Sequence, residues 1–330
     1  MNPLEIYSVF YVLKLSVEEI QSLLNEELLF LQIPKDKHQT LESFIEDQKK
    51  RIEKTEAKII TFWDDLYPEN LRKSVNPPPA FYCIGNCSLL RKPLFTIVGT
   101  RHATKYGLKV AETFSRVLSK HFVIVSGMAF GIDAKAHMGA IQNGNTIAVL
   151  ASGADVPTPR SNEGVYKSIL KAGGAIISVY PLGEGAKRHR FVERNYLMAA
   201  LGEGTLVVEA PLKSGSLITA KYAAEIGREV FAIPGDIWKR NSQGCNYLIK
   251  SGAVLVTEPE EILENYGIKS DSKPQEPEDP IINLLYKENL SAEEIAMTLD
   301  ISLKEVLIRL AELELQGKVI NEDGKYHYLR

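Results

Sequence analysis

No stretch of these 330 residues is apolar over the roughly 18 positions that a membrane-crossing helix needs, so a transmembrane chain is not expected. Cysteine is scarce. Cys83 and Cys87 lie four apart, Cys245 is remote, and no second paired spacing exists, which argues against both a disulfide framework and a closed zinc site. Reduced thiols in a cytoplasmic protein are the expectation. Met1 to Phe10 carries Glu5 and no basic n-region, so a secretory leader is not expected either. Phosphate-binding and catalytic fingerprints are also missing. There is no G-x-x-x-x-G-K-[ST], G-x-S-x-G or H-E-x-x-H, and Ser126 to Gly131 lacks the three glycines of G-x-G-x-x-G. No cofactor and no metal are therefore expected. Asp133 and His137, four apart, would share a helix face, where a buried polar pair that fixes the loop is the reading preferred over a metal or acid–base pair.

Net charge is small, −3, but unevenly distributed. Residues 1–90 carry 10 Lys+Arg against 14 Asp+Glu, residues 91–250 carry 21 against 11, and residues 251–330 carry 8 against 17. A basic centre between acidic ends points to a middle domain that meets a polyanion; the plainer alternative is a solvated surface excess.

The apolar pattern divides the chain. Residues 1–62 read as a small acidic helical domain, with Leu4, Tyr7, Phe10 and Leu13 at helical spacing and Ser16 with Glu19 as a capping box. Residues 63–85 are irregular, and Pro77 to Pro79 exclude helix. From Leu94 short apolar runs alternate with amphipathic stretches. Candidate strands lie at 95–99, 122–127, 146–152, 175–179, 205–210, 229–235 and 253–256. This alternation predicts an α/β domain over 63–268, a doubly wound, Rossmann-like parallel sheet. Residues 269–280 have linker composition. In residues 281–330, capping boxes at Ser291/Glu294 and Ser302/Glu305 and a turn at Asp323-Gly324 predict three helices and a β wing, a winged helix.

In such a sheet ligands sit beyond the carboxyl ends of the strands. The segments that follow the strands include Gly99-Thr100-Arg101, Gly127 to Gly131, and Ser214-Gly215-Ser216, where glycines and small hydroxyl residues at helix starts suit phosphate. Each glycine alone would equally serve a tight turn. The densest basic run is Lys187-Arg188-His189-Arg190, followed by Phe191, Arg194, Asn195 and Tyr196. Arginines for phosphates and aromatics for bases are the usual means of holding a single strand.

Several of these strings are found together in one family. DDLYPENLRKSVNPPPAFYCIGN, VGTRHATKYG, VSGMAFGIDAKAHMGAIQNGNTIAVLASG, FVERN, VVEAPLKSGSLITAKYAAEIGREVFAIPG and QGCNYLIKSGA, from about Trp63 to Val256, closely resemble the DNA-processing protein A family, also called Smf. The resemblance implies a cytoplasmic bacterial protein of natural transformation (competence) and DNA recombination. Such a protein binds single-stranded DNA, helps load the RecA recombinase, forms a homodimer through the Rossmann-like domain, and has no established catalytic activity. It also implies that Arg101, Arg188, Phe191, Arg194, Asn195 and the Ser214 to Ser216 loop belong to the DNA pocket. Tyr196, Val179 and the string VPTPRSN (156–162) depart from the family pattern.

The combined expectation is a sequence-independent binder. Arg101, Lys187, Arg188, Arg190 and Arg194 would neutralise phosphates, Phe191 would stack a base, and backbone N–H groups of Gly127, Gly131 and Gly215 would cradle phosphate oxygens beside Gly99 and Thr100. A rival is a phosphoribohydrolase-like enzyme with Glu209 or Asp133 as its carboxylate. Another is a transcription regulator using the winged helix, against which stands its charge: Lys304 and Arg309 face Glu305, Glu312 and Glu314 on the recognition helix. That domain is expected to contact protein rather than DNA.

Overall fold

A computed structural model describes residues 2–25, 35–269, 279–322 and 324–328. It forms two compact units, Met1–Ile268 and Lys269–Arg330. No helix among the described residues is long and apolar enough to cross a membrane.

The first unit is built on nine strands: β1 (Lys58–Thr61), β2 (Ala80–Gly85), β3 (Leu94–Val98), β4 (Val123–Ser126), β5 (Thr146–Val149), β6 (Ala175–Ser178), β7 (Gly204–Val207), β8 (Glu229–Ala232) and β9 (Val254–Leu255). Their order is β1-β2-β6-β5-β4-β3-β7-β8-β9. From β6 across to β9 every pairing is parallel. All seven expected strands are present and the sheet is doubly wound. Strand residues alternate between two cores because successive side chains point to opposite faces. Phe95 and Ile97 join Ile124, Leu206 and Phe231 on one face. Leu94 and Val98 join Val123, Val125 and Val207 on the other.

Two strands were not expected. β2 lies inside the segment read as irregular and pairs antiparallel with β6, and β1 pairs antiparallel with β2. The Pro77 to Pro79 run ends just before β2 and masks it. Phe81 to Cys83 are fully buried, and such a short apolar run has no period-2 signature to announce it. β1 also carries the sheet to Lys58, before residue 63, where the sequence starts the α/β domain. The N-terminal helices α1 (Pro3–Leu13) and α2 (Val17–Asn25) share a core with the sheet: Ile6, Tyr7, Val9 and Ile20 pack with Tyr82, Ile84 and Ile176. Tyr7 and Tyr82 meet edge-on at 4.4 Å, and Gln48 of α3 (Lys35–Thr55) accepts from the Tyr82 hydroxyl (2.9 Å) and from Leu182 N (3.0 Å). The Ser16/Glu19 capping box is formed.

After a single helical turn at Glu69–Arg72, inside the segment read as irregular, six longer helices are described in the first unit: α4 (Lys105–Leu118), α5 (Ile132–Ala140), α6 (Glu163–Lys171), α7 (Arg190–Leu201), α8 (Gly215–Glu225) and α9 (Gln243–Lys250), before the short α10 (Pro259–Asn265). The second unit contains α11 (Pro280–Lys287), α12 (Ala292–Leu299), α13 (Leu303–Leu315) and a hairpin of β10 (Val319–Glu322) with β11 (Lys325–Tyr328). Ser291/Glu294 and Ser302/Glu305 both form their capping boxes. The expected linker falls largely, and Asp323 of the expected turn wholly, outside the described residues.

Phe95 lies at the middle of the sheet, fully buried against Phe122, Phe231 and Tyr266. Phe95→Ala should lower the urea-unfolding free energy by about 3–5 kcal/mol. A loss below about 1 kcal/mol would mean that this core is not packed as described.

Candidate nucleic-acid interface

Strand order reverses between β3 and β7. To one side the sheet runs β3-β4-β5-β6 and to the other β7-β8-β9, so the connecting helices diverge and leave a crevice beyond the carboxyl ends. A cleft of about 330 Å³ occupies that point. Gly99, Thr100, Arg101, Arg194, Asn195, Ser214, Gly215 and Ser216 line it, together with His102, Lys213 and Thr219.

The β3 loop is held against its neighbours by its backbone. Thr100 N donates to Glu209 O (2.7 Å), and Ile132 N, at the start of α5, donates to Thr100 O (3.3 Å). Gly131 permits that approach: its φ is +75°, and a Cβ there would lie 2.4 Å from Thr100 O. Arg101 follows, exposed, with its guanidinium 5.3 Å from the centre of the half-buried Phe191 ring on the first turn of α7. Residues 90 positions apart thus build a cation–aromatic stack beside the cleft.

Beneath it lies a buried pair. Arg194 Nη1 stands 3.7 Å from Asp133 Oδ2, and both side chains are almost wholly buried. Burial raises the Asp133 carboxyl above its ordinary range, against the opposing pull of Arg194 and of hydrogen bonds from the Ala129 and Gly127 backbone. Burial also lowers the Arg194 guanidinium, and the positive charge of Arg101 lowers it further, while Asp133 opposes both. Two guanidiniums repelling across a small cleft are relieved by an anion between them. Arg194 Nε and Thr219 Oγ1 are buried without a protein hydrogen-bond partner.

The opposite wall is a helix start. Ser214 caps α8: its Oγ accepts from Ser216 N (3.3 Å) and pairs with Ser216 Oγ (2.7 Å). Gly215 is exposed, and Asn195 Nδ2 donates to its carbonyl (3.2 Å), tying α7 to this loop. The positive end of the α8 dipole and exposed Lys213 add to the field of Arg101 and Arg194.

Some expected residues do other work. Arg190 is buried; it pairs with Glu184, donates to Gly185 O (3.1 Å) and Tyr11 Oη (3.0 Å), and lies over the Tyr180 ring, so it braces the N-terminal helices rather than facing the cleft. At Gly127 a Cβ would collide with the Arg194 guanidinium. Its missing side chain makes room for the buried pair. Lys187 and Arg188 are exposed ahead of α7 but do not line the cleft. Gly99 lines it, yet its missing side chain serves packing, since a Cβ would lie 2.5 Å from Ile132.

The carboxylates considered for an enzyme are both engaged. Glu209 accepts from Thr104 N (2.9 Å) and Thr104 Oγ1 (2.6 Å) at the start of α4, and Asp133 faces Arg194. His137 is not beside Asp133 in function: its Nδ1 meets Thr146 Oγ1 (2.7 Å), whose own proton goes to Ile124 O (2.9 Å). Tyr196 leaves the cleft, donating to Val75 O (2.6 Å) and packing on Tyr222. Asn162, the last residue of the altered VPTPRSN string, donates to Met128 O (2.8 Å) behind the α5 loop. Lys213 and Thr219 were not singled out from the sequence. Lys213 was legible as a cation beside the S-G-S loop, whereas Thr219 gives no signal because only the helix turn brings it to the cleft.

Comparison with known proteins places this architecture. The family model of DNA recombination-mediator protein A matches residues 58–267. Protein Smf of Escherichia coli (strain K12) is 38% identical over 283 residues, covering 81% of this chain and 76% of the relative. DNA processing protein DprA of Streptococcus pneumoniae is 42% identical over 204 residues, covering 62% and 72%. The solved structure of DprA from Streptococcus pneumoniae superposes with a TM-score of 0.67 at 34% identity, covering 80% of this chain and 98% of that one. DNA processing protein A of Helicobacter pylori, whose structure concerns its single-stranded DNA binding mode, gives 0.57 at 28% identity, covering 64% and 95%.

Burial lowers the His137 imidazole to about 3, well below its ordinary value, so the folded protein keeps it neutral while the unfolded chain takes up a proton near pH 6.5. Its contribution is complete above pH 6.5 and is lost as pH falls from there toward 3. Between pH 7.5 and 5.5 the wild type should lose about 1 kcal/mol more unfolding free energy than His137→Gln. Parallel pH profiles for the two proteins in urea titrations would refute the buried neutral imidazole.

Proposed function

The chain belongs to the DNA recombination-mediator protein A family, and on that premise we propose that it binds single-stranded DNA, without regard to sequence, in the cleft between β3 and β7. The stack of Arg101 on Phe191 at the rim of an anion-attracting cleft carries this reading. Arg101, Lys213 and Arg194 neutralise one phosphate, the start of α8 donates backbone N–H groups to it, and Phe191 offers a face to the adjoining base. Exposed Lys187 and Arg188 guide the strand toward the site without entering it. No base-edge reader is required, because stacking and phosphate contacts are the same for every sequence.

Family membership further supports loading of the RecA recombinase onto the bound strand, in DNA processing, natural transformation and recombination. It also supports a cytoplasmic site of action and a homodimer formed through the α/β unit. A binding role rather than a catalytic one fits the engagement of Glu209 and Asp133. The three helices and hairpin of the second unit form, in this proposal, a winged helix directed at protein. Of the two cations on α13, Arg309 is held by Asp279 (2.8 Å) and Glu312 (2.7 Å), leaving Lys304 alone to meet a phosphate backbone.

Fluorescence polarisation of labelled homopolymeric and mixed-sequence oligonucleotides tests this. Affinity for single strands should exceed that for duplex and fall steeply with salt. Arg101→Ala should weaken all sequences alike and lower the salt slope by about one. Equal affinity for duplex, or an Arg101→Ala protein with wild-type affinity, would overturn the proposal.

A further inference from the structure

Trp238 is 86% exposed and Ile237 beside it 69%, the pair forming an apolar tip that the core does not use. The open indole offers a large, rigid aromatic face to a ligand. The two residues that follow, Lys239 and Arg240, are exposed, and no described carboxylate pairs with either. The tip has a defined shape. Asp236 accepts from Trp238 N (2.8 Å) through Oδ1 and from Lys239 N (3.1 Å) through its carbonyl, and Ser242 N closes a second turn onto Lys239 O (3.0 Å). Gly235 lies so close to Ser242 that a Cβ would stand 2.3 Å from its hydroxyl, which pinches the base of the loop shut.

The loop belongs to the same edge of the sheet as the cleft. It leaves the carboxyl end of β8, the neighbour of β7, about 5 Å further along the edge. Asn241 joins it to the cleft: its carbonyl accepts from Ala210 N (2.7 Å), and its side-chain amide donates to His102 O (2.8 Å). The tryptophan, its two cations and the cleft are thus linked through adjacent loops, on the β8 side of the sheet.

We infer that Trp238 is a second stacking platform for single-stranded DNA, with Lys239 and Arg240 holding the flanking phosphates, so that the strand leaves the cleft toward β8. This inference rests on the reading of the cleft given above. It combines the two elements a sequence-tolerant single-strand surface requires, an open aromatic face and adjacent cations.

The chain has two tryptophans, so Trp63→Phe leaves Trp238 as the only indole emitter. That protein is titrated with oligo(dT), reading polarisation of the labelled strand and tryptophan emission together, with Trp238→Ala, Trp238→Phe and Arg101→Ala in the wild-type background alongside. Emission should be quenched in step with binding. Trp238→Ala should weaken affinity by roughly 5- to 150-fold, as loss of one stacked base does, and Trp238→Phe should restore most of it. If the strand binds, Arg101→Ala weakens binding, and neither emission nor the affinity of Trp238→Ala changes, the platform is refuted while the cleft stands. If the wild type does not bind oligo(dT) at all, the cleft and the platform fall together.

Discussion

The Arg194–Asp133 pair is the contact on which the cleft depends. Asp133 comes from the first turn of α5, Arg194 from the middle of α7, and the glycine that lets them meet, Gly127, from the end of β4. Three elements separated by up to 67 positions in the chain are therefore fixed by one buried charge pair. Such a pair adds little net stability over apolar packing, yet losing either partner leaves an uncompensated charge in the interior, at about 3–5 kcal/mol. What the pair provides is placement. It keeps a guanidinium in the lining of the cleft and holds α7 so that Phe191, one turn earlier, rises beside Arg101.

The cleft's location follows from winding. Once β3 and β7 are neighbours with connections running to opposite sides, no helix can cover the gap between them, and the backbone groups of the following loops face outward. Glu209 shows how the rest of that edge is closed. It satisfies the start of α4 through Thr104 while its carbonyl takes the Thr100 N–H, so the β3 and β7 loops are stitched together beyond the last strand residue. Two acidic groups near the site are thereby spent on architecture, and the field left in the cleft is that of Arg101, Arg194, Lys213 and the α8 start.

Arg190 performs a comparable task on the other side of α7. Through Glu184 and Tyr11 it connects the helix to α1, and Tyr7 and Tyr82 continue that contact into the sheet. The N-terminal helices thus act as a buttress for the helix that bears Phe191 and Arg194. Of the four basic residues at 187–190, Lys187, Arg188 and His189 remain exposed with no such duty and are able to meet solvent and ligand.

Much of this was legible in the linear pattern. Alternating apolar runs and amphipathic stretches determine the seven parallel strands, because strands buried on both faces must be apolar throughout and the helices covering them must be apolar on one side. The capping boxes at Ser16, Ser291 and Ser302 are equally local, since each is settled by groups three residues apart. The loops around Arg101 and Ser214 follow from strand ends and glycine alone. Tertiary structure decided what depends on distant partners. β2 appears as a strand only because β6 is there to pair with it. Arg190 and Arg194 look alike in the basic run, but one is drawn to Glu184 and the other to Asp133. Gly127, a phosphate candidate on spacing, is a glycine for the sake of Arg194. A sequence states which groups can carry charge or turn the chain; which of them faces a ligand is decided by burial and by partners that only the folded sheet brings within reach.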